Sequence, residues 1–454
     1  MIALSLTEAA SALSARLHGT SMRFKGVSTD TRTLNKGELF VALKGAHHDG
    51  HDSLAEAVKR GAVGAIVSRE SVAGIPYIRV TETRRALGLL ASAWRVRRDI
   101  PVIGVTGSNG KTSTKEMIAA ILRERGDVLA TQGNLNNDIG VPLTLFHLTE
   151  SHQAAVIEMG ANGMHDIAEL SEIALPTVGV VTMCGPAHLA GFGSIANIAQ
   201  AKGQLYQHLS ASGFAVINAD DRFSDYWRGV SRAGTLVTFG IDQPADYRAH
   251  SIELGALGTG TKFELRSPAG NVLVTLPFDG RHNVYNALAA AAAAMAAGAS
   301  LENVRNGLAR AQRVNGRLDL KDGIAGCVII DDTYNANPAS LAAALAVLAR
   351  CPAPRWLVLG DMAELGVDQL SQHREAGLLA RRDGIERLFT IGNLAHAATE
   401  AFGLGAEHYR DCATLLDALR HDAGSGVTVL VKGSRVMQLE KIVAGLTVLG
   451  ANAC

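Results

Sequence analysis

Short runs of consecutive apolar residues, each closed by a polar residue or glycine, recur along most of this chain and predict strands buried on both faces of parallel sheets. Val102 to Thr106, Ala154 to Ile157, Val178 to Met183 and Phe214 to Asn218 form one set, with helical spacing between them. Such alternation predicts an α/β fold with a doubly wound sheet and helices on both faces. Between Thr235 and Pro277 the helical spacing lapses, so strands alone are expected there, as an antiparallel edge or a subdomain. A further set follows Gly316, at Val328 to Asp331, Trp356 to Gly360, Leu388 to Ile391 and Val427 to Val431. Ahead of both, Glu38 to Leu43 and Ala62 to Val67 flank a helical Asp52 to Arg60, and a helix rich in arginine, from Arg84 to Arg98, leads to Pro101.

Three units are therefore expected: a small N-terminal α/β unit over 1–82, a central doubly wound sheet over 83–313, and a Rossmann-like sheet over 314–454. A chain of 454 residues is too long for one core and fits that number. The most apolar stretch, Ala287 to Ala297, is too short to span a bilayer and reads as a buried helix packed closely on a sheet.

Charge and cysteine usage narrow the setting. Lys plus Arg equals Asp plus Glu at 43 each, which leaves no basic footprint for nucleic acid. The five cysteines, at 184, 327, 351, 412 and 454, have no paired spacing, so reduced thiols are expected. The first residues lack a basic segment followed by an apolar one, and a cytoplasmic, monomeric enzyme without a membrane span is expected.

The chemistry starts at Val102. The strand Val102 to Thr106 runs into Gly107-Ser108-Asn109-Gly110-Lys111-Thr112-Ser113, and helical spacing of Met117, Ile118, Ile121 and Leu122 follows, with Gly126 as a stop. This is a phosphate cradle: glycines let backbone amides approach phosphate oxygens, Lys111 supplies a point charge, and the Thr112 hydroxyl is placed to hold Mg2+. The usual motif has glycine where this chain has Val105, so the loop is a tighter variant.

Open parallel sheets bind ligands beyond the carboxyl ends of their strands, and the polar residues of interest fall there. Lys111, Glu158 and His188 each follow a predicted strand. Glu158 reads as a Mg2+ ligand or a solvated loop glutamate, and His188 as a ligand or a surface histidine. Lys202 lies in a helical segment, where a surface lysine is the ordinary reading. Asn283 and Asn286 share a helix face and suit adenine, although Asn283 equally suits helix capping. Arg317, Asp331, Asp332, Asp361 and Lys432 gather at strand ends of the last unit, so two polar sheet edges would form a cleft.

These stretches resemble the Mur ligases, ATP-dependent amide-forming enzymes of peptidoglycan assembly, over essentially the whole chain. The resemblance rests on Ser28-Thr29-Asp30-Thr31-Arg32, Asp49-Gly50-His51, Thr106 to Thr112, Gly133 to Pro142, Glu158 to Asn162 and Gly280 to Asn286. Asp331 to Pro338, Gly360 to Gly366 and Val431 to Arg435 extend it, and look like the member that joins D-alanyl-D-alanine to UDP-MurNAc-tripeptide.

The resemblance implies that Glu158 and His188 hold two Mg2+ ions with Thr112, and that Lys202 is carbamylated into an anionic oxygen donor. Gln204 departs from the glutamate many relatives carry two residues after that lysine. It further implies ATP contacts from Gly107 to Ser113, from Asn137, Asn283 and Asn286 around adenine, and from Arg317 and Asp332. Ser28, Thr29, Asp30, Arg32, Asp49 and His51 would hold the UDP sugar. Asn134, Asn136, Tyr334, Asn337, Lys432 and Arg435 would meet the peptide substrates. A relative that adds another amino acid, a folate polyglutamate synthetase, and a scaffold that has lost ligation are the competing readings.

Overall fold

The computed structural model describes residues 1–70 and 74–448, so Cys454 lies outside the described residues. Its largest sheet has nine strands, and the strand that feeds the phosphate loop is third from one edge. In order, they are Gly270–Leu276, Thr261–Ser267, Tyr247–Leu254, Thr235–Gly240, Phe214–Asn218, Val178–Val181, Val102–Thr106, His152–Glu158 and Asp127–Ala130. Neighbours are parallel from Asp127–Ala130 through to Tyr247–Leu254, and the last two strands add an antiparallel edge. The helix-free stretch after Thr235 thus extends the same sheet. Asp127–Ala130 escaped the apolar pattern because it is an edge strand with polar Asp127 and little burial.

A helix from Arg281 to Ala296 lies against this sheet with every side chain from Ala287 to Ala294 fully buried. Alanine suits most of these positions because a helix so enclosed packs closely against the strands and the phosphate-loop helix Lys111–Arg123. Closer still is the helix Leu301–Arg310, where a Cβ on Gly307 would stand 2.4 Å from Ile121 Cα. Two helix backbones touch there.

The last sheet has six strands, in order Asp319–Asp322, Val328–Asp332, Thr428–Lys432, Arg355–Gly360, Arg387–Ile391 and Ala406–Tyr409. Only the first pair is antiparallel. Its two outer strands were not legible in the apolar pattern, being short and half-exposed. The N-terminal sheet has five strands, in order Arg16–His18, Tyr77–Arg79, Gly64–Val67, Leu39–Val41 and Val27–Ser28. Its core is continuous with one face of the central sheet: Leu4, Phe24 and Ile78 belong to the same apolar cluster as Leu90, Trp94, Phe146 and Ile173. The helix Thr83–Arg95 joins the two, and its Arg95 is buried, donating to the carbonyls of Ala174 and Arg98.

Gly307→Ala should lower the thermal midpoint. Alanine gains about 1 kcal/mol of helix propensity over glycine, but forcing two backbones apart costs about 1–3 kcal/mol and should outweigh it. An unchanged or raised midpoint in a thermal melt would contradict the close packing.

Candidate active site

The phosphate loop is held by its neighbour strand. The Thr182 hydroxyl, just past Val178–Val181, donates to Asn109 O at 2.6 Å, and Ser108 Oγ donates to Gly185 O at 2.9 Å. A Cβ on Gly107 would fall 1.8 Å from Thr182 Oγ1, and one on Gly110, whose φ is 82°, would fall 2.3 Å from Asn286 Oδ1. Both glycines are therefore required by packing. Val105 is fully buried beside Glu158, so the strand continues where the usual motif has already turned.

A cavity of about 1190 Å³ opens in front of the loop, between the central and last sheets. Of the residues named from sequence, Ser108 to Lys111, Ser113, Asn134, Asn136, Asn137, Glu158, His188, Asn283, Asn286, Arg317, Asp332, Tyr334, Asn337, Lys432 and Arg435 line it. Thr112 is buried behind the loop, and Arg317 Nη2 donates to its Oγ1 at 2.9 Å. The Arg317 guanidinium also stacks 4.2 Å from the Tyr334 ring centre. Asn109 and Asn337 exchange amide hydrogen bonds of 3.2 and 2.8 Å across the same cleft.

Both cations and carboxylates line the cavity, and Lys111 and Arg317 are the cations nearest the loop. Lys111 Nζ donates to Gly107 O at 2.8 Å. Burial holds its pKa below the ordinary lysine value and Arg317 adds to this, while Glu158 opposes it. Lys202 is a correction to the surface reading: it is only 3% exposed and has no hydrogen-bond or ion-pair partner among the described residues. Burial first, and then Lys111, push its ammonium down to about 7. Its place follows from the helix Ile195–Gln207, where Ile198, Ala201, Lys202 and Leu205 share the buried face.

Two of the acids stand close to these cations. Glu158 is buried, with Oε1 accepting from Asn136 Nδ2 at 2.8 Å and Oε2 left without a partner. Asp332 pairs with buried Lys432 and accepts from Leu318 N at 3.2 Å. His188 is no free surface histidine: its Nδ1 is in contact with Glu364 of the last unit, and burial lowers its pKa. Among the described residues no three His, Cys, Asp or Glu side chains cluster as a metal site. A cation here would rest on Glu158 and Thr112 with oxygens from a bound nucleotide.

The asparagines are arranged differently from a free adenine-binding edge. Asn286 Nδ2 donates to Asn283 Oδ1 at 3.0 Å, and Asn286 Oδ1 accepts from Thr114 at 3.3 Å, bracing the phosphate-loop helix. Asn283 caps nothing, since Gly280 is the N-cap, and its Nδ2 donates to Asp279 O at 2.9 Å. Asn137 Oδ1 accepts from Gly140 N at 2.8 Å.

The six residues named for a sugar nucleotide lie apart from the cavity wall, at the carboxyl edge of the N-terminal sheet. Ser28 ends one strand; Thr29, Asp30 and Arg32 follow it; Asp49 and His51 follow Leu39–Val41. Arg32 pairs with Asp30 at 2.6 Å and holds that carboxyl at about 2. Asp49 receives a hydrogen bond from His51 N at 2.9 Å, and His51 Nε2 accepts from Ser68 N at 2.9 Å. The sequence reading did not single out Asp220 and Asp221, which line the cavity after Phe214–Asn218. The rule that polar residues after strands mark the site would have found them.

Family models for the Mur ligases match three stretches in order: the catalytic domain model over 23–95, the middle domain over 105–294 and the glutamate ligase domain over 316–435. The chain belongs to the Mur ligase family. The UDP-N-acetylmuramoyl-tripeptide--D-alanyl-D-alanine ligase of Escherichia coli K12 is 42% identical, covering 98% of this chain and 99% of the relative. A crystal structure of MurF from Acinetobacter baumannii superposes with a TM-score of 0.91 at 36% identity, covering 96% of this chain and 97% of that one. MurF ligase from Thermotoga maritima in complex with ADP gives 0.82 at 27% identity, covering 92% and 96%. The Mur ligase fold thus places the phosphate loop and its cavity in this chain.

Lys202 sets a pH dependence. An unfolded lysine titrates near 10.4, so between about 7 and that value the unfolded chain binds the extra proton and this group's contribution rises with pH. Its cost is greatest at and below about 7. In CO2-free buffer, Lys202→Met should therefore raise the thermal midpoint more at pH 6.5 than at pH 9.5. An equal shift at both would mean the ammonium is not desolvated.

Proposed function

We propose that the protein joins D-alanyl-D-alanine to UDP-MurNAc-tripeptide, with ATP activating the terminal carboxylate of the tripeptide. The observation that carries this reading is the meeting of Lys111 from the central sheet and Arg317 from the last unit at one loop, over Thr112. A carboxylate and a γ-phosphate repel each other. Catalysis of their reaction rests on fixed positive charge and positioning, which these side chains supply. Full-length similarity to ligases named for this reaction supports the choice of substrates.

A carboxylate oxygen of the tripeptide bonds to the γ-phosphorus as the bond to the bridging oxygen breaks, and ADP leaves. The amine of D-alanyl-D-alanine then bonds to the acyl carbon, loses a proton, and phosphate leaves. Asn109, Asn337 and Arg317 hold the two sheet edges together around this chemistry and limit the access of water.

Glu158 with its unpaired Oε2, Thr112 and His188 would hold Mg2+, which supplies charge against the phosphate oxygens. An amine at about 7 is largely unprotonated at mildly basic pH, the form that adds CO2. In that addition the neutral Lys202 amine forms an N–C bond to CO2 and releases one proton, so a neutral amine becomes an anionic carbamate. Asn137, Asn283 and Asn286 border the nucleotide, Asp332 its ribose side, and the N-terminal edge from Ser28 to His51 the UDP sugar. Asn134, Asn136, Tyr334, Asn337, Lys432 and Arg435 face the peptide substrates across the cleft. The same reading makes the three units, 1–82, 83–313 and 314–454, sugar-nucleotide, ATP and acceptor units of a cytoplasmic monomer.

Phosphate release with ATP and UDP-MurNAc-tripeptide should require D-alanyl-D-alanine and should not respond to free amino acids. Lys111→Ala should lower turnover by at least about 100-fold while leaving the circular dichroism spectrum unchanged. Substantial turnover in that variant, or release driven by free amino acids, would contradict the reading.

A further inference from the structure

Two non-glycine residues with left-handed backbones meet across the cleft. His188 has φ 55° and Glu364 has φ 64°, and the Glu364 carboxylate contacts His188 Nδ1. Such conformations are strained and persist where the surroundings enforce them. Here the surroundings are visible on both sides. The turn carrying Glu364 is pinned to its own unit, because Met362 N donates to His373 Nε2 at 2.9 Å and Ala363 N donates to Ser434 Oγ at 2.7 Å. Across the cleft, Ala190 N donates to Glu364 O at 3.2 Å. Backbone contact thus docks the turn beside His188 independently of the Glu364 side chain, which is 57% exposed and fills no core.

A histidine that binds a cation through one ring nitrogen is commonly oriented by a carboxylate on the other. Glu364 is the one carboxylate in contact with His188 among the described residues, and both line the cavity with Lys111 and Glu158. The Glu364 carboxylate lies against Nδ1 without an aligned hydrogen bond, and a proton held on that side of the ring leaves the lone pair on Nε2. We propose that Glu364 is a positioning residue that orients His188 for a divalent cation, so that this site is complete only while the last unit is docked on the central sheet. The inference rests on the reading of His188 as a cation ligand. It adds a residue of the acceptor-bearing unit to a site otherwise built by the ATP-bearing one.

The test is Mn2+ titration of the full chain in the presence of ADP, with free Mn2+ read by electron paramagnetic resonance, beside initial rates at varied Mg2+. Glu364→Ala should weaken Mn2+ binding and raise the Mg2+ half-saturation by about 10- to 100-fold, with the ADP dissociation constant measured without metal unchanged. Glu364→Gln, whose Oε1 keeps an acceptor beside Nδ1, should recover most of the loss. A thermal midpoint equal to that of the wild type in both variants separates this from misfolding. Loss of Mn2+ binding in His188→Ala but not in Glu364→Ala would overturn the role of Glu364 alone. Unchanged binding in both would remove His188 from the cation site, and the inference with it.

Discussion

The close approach of the phosphate loop to the end of the neighbouring strand is the constraint on which the site depends. With Gly107 against the Thr182 hydroxyl and Gly110 against the Asn286 amide, no side chain fits at either position and the loop has one path. That path directs Lys111 into the cleft and keeps Thr112 buried behind the loop, where Arg317 of the last unit donates to it. The alanine helix behind it serves the same end. Packed closely through mostly alanine side chains, it lets Asn286 reach forward and brace Thr114 in the phosphate-loop helix.

Charge supplies the second layer. Lys111 lies near Glu158, Arg317 and Lys202, and Lys432 is already paired with Asp332. A buried cation without a partner is costly, and Lys202 is such a group. Anionic phosphates and an acyl carboxylate would offset that cost. At the phosphate loop Lys111 and Arg317 thus hold positive charge in place before any substrate is bound, which is the electrostatic requirement of moving a phosphoryl group onto a carboxylate.

Much of this was readable from sequence where local pattern and tertiary role coincide. The strands Val102–Thr106 and Phe214–Asn218 begin and end where their apolar runs do, because each is buried on both faces and closed by a polar residue. Edge strands such as Asp319–Asp322 and Ala406–Tyr409 have partners on one side only and carry too few apolar residues to stand out. Lys202 was misleading for a different reason. Its charge favoured a solvent-exposed reading, although the spacing of Ile198, Ala201 and Leu205 already put it on the buried face. The Asn109–Asn337 pair and the His188–Glu364 contact join residues far apart in sequence, and nothing in local spacing specifies them.

Direct phosphoryl transfer to a carboxylate is tested most directly by isotope transfer. UDP-MurNAc-tripeptide labelled with 18O in its terminal carboxylate, turned over with ATP and D-alanyl-D-alanine, should deliver one labelled oxygen to each phosphate released. Phosphate carrying only unlabelled oxygen would mean that water, and not the carboxylate, attacks ATP in this cleft.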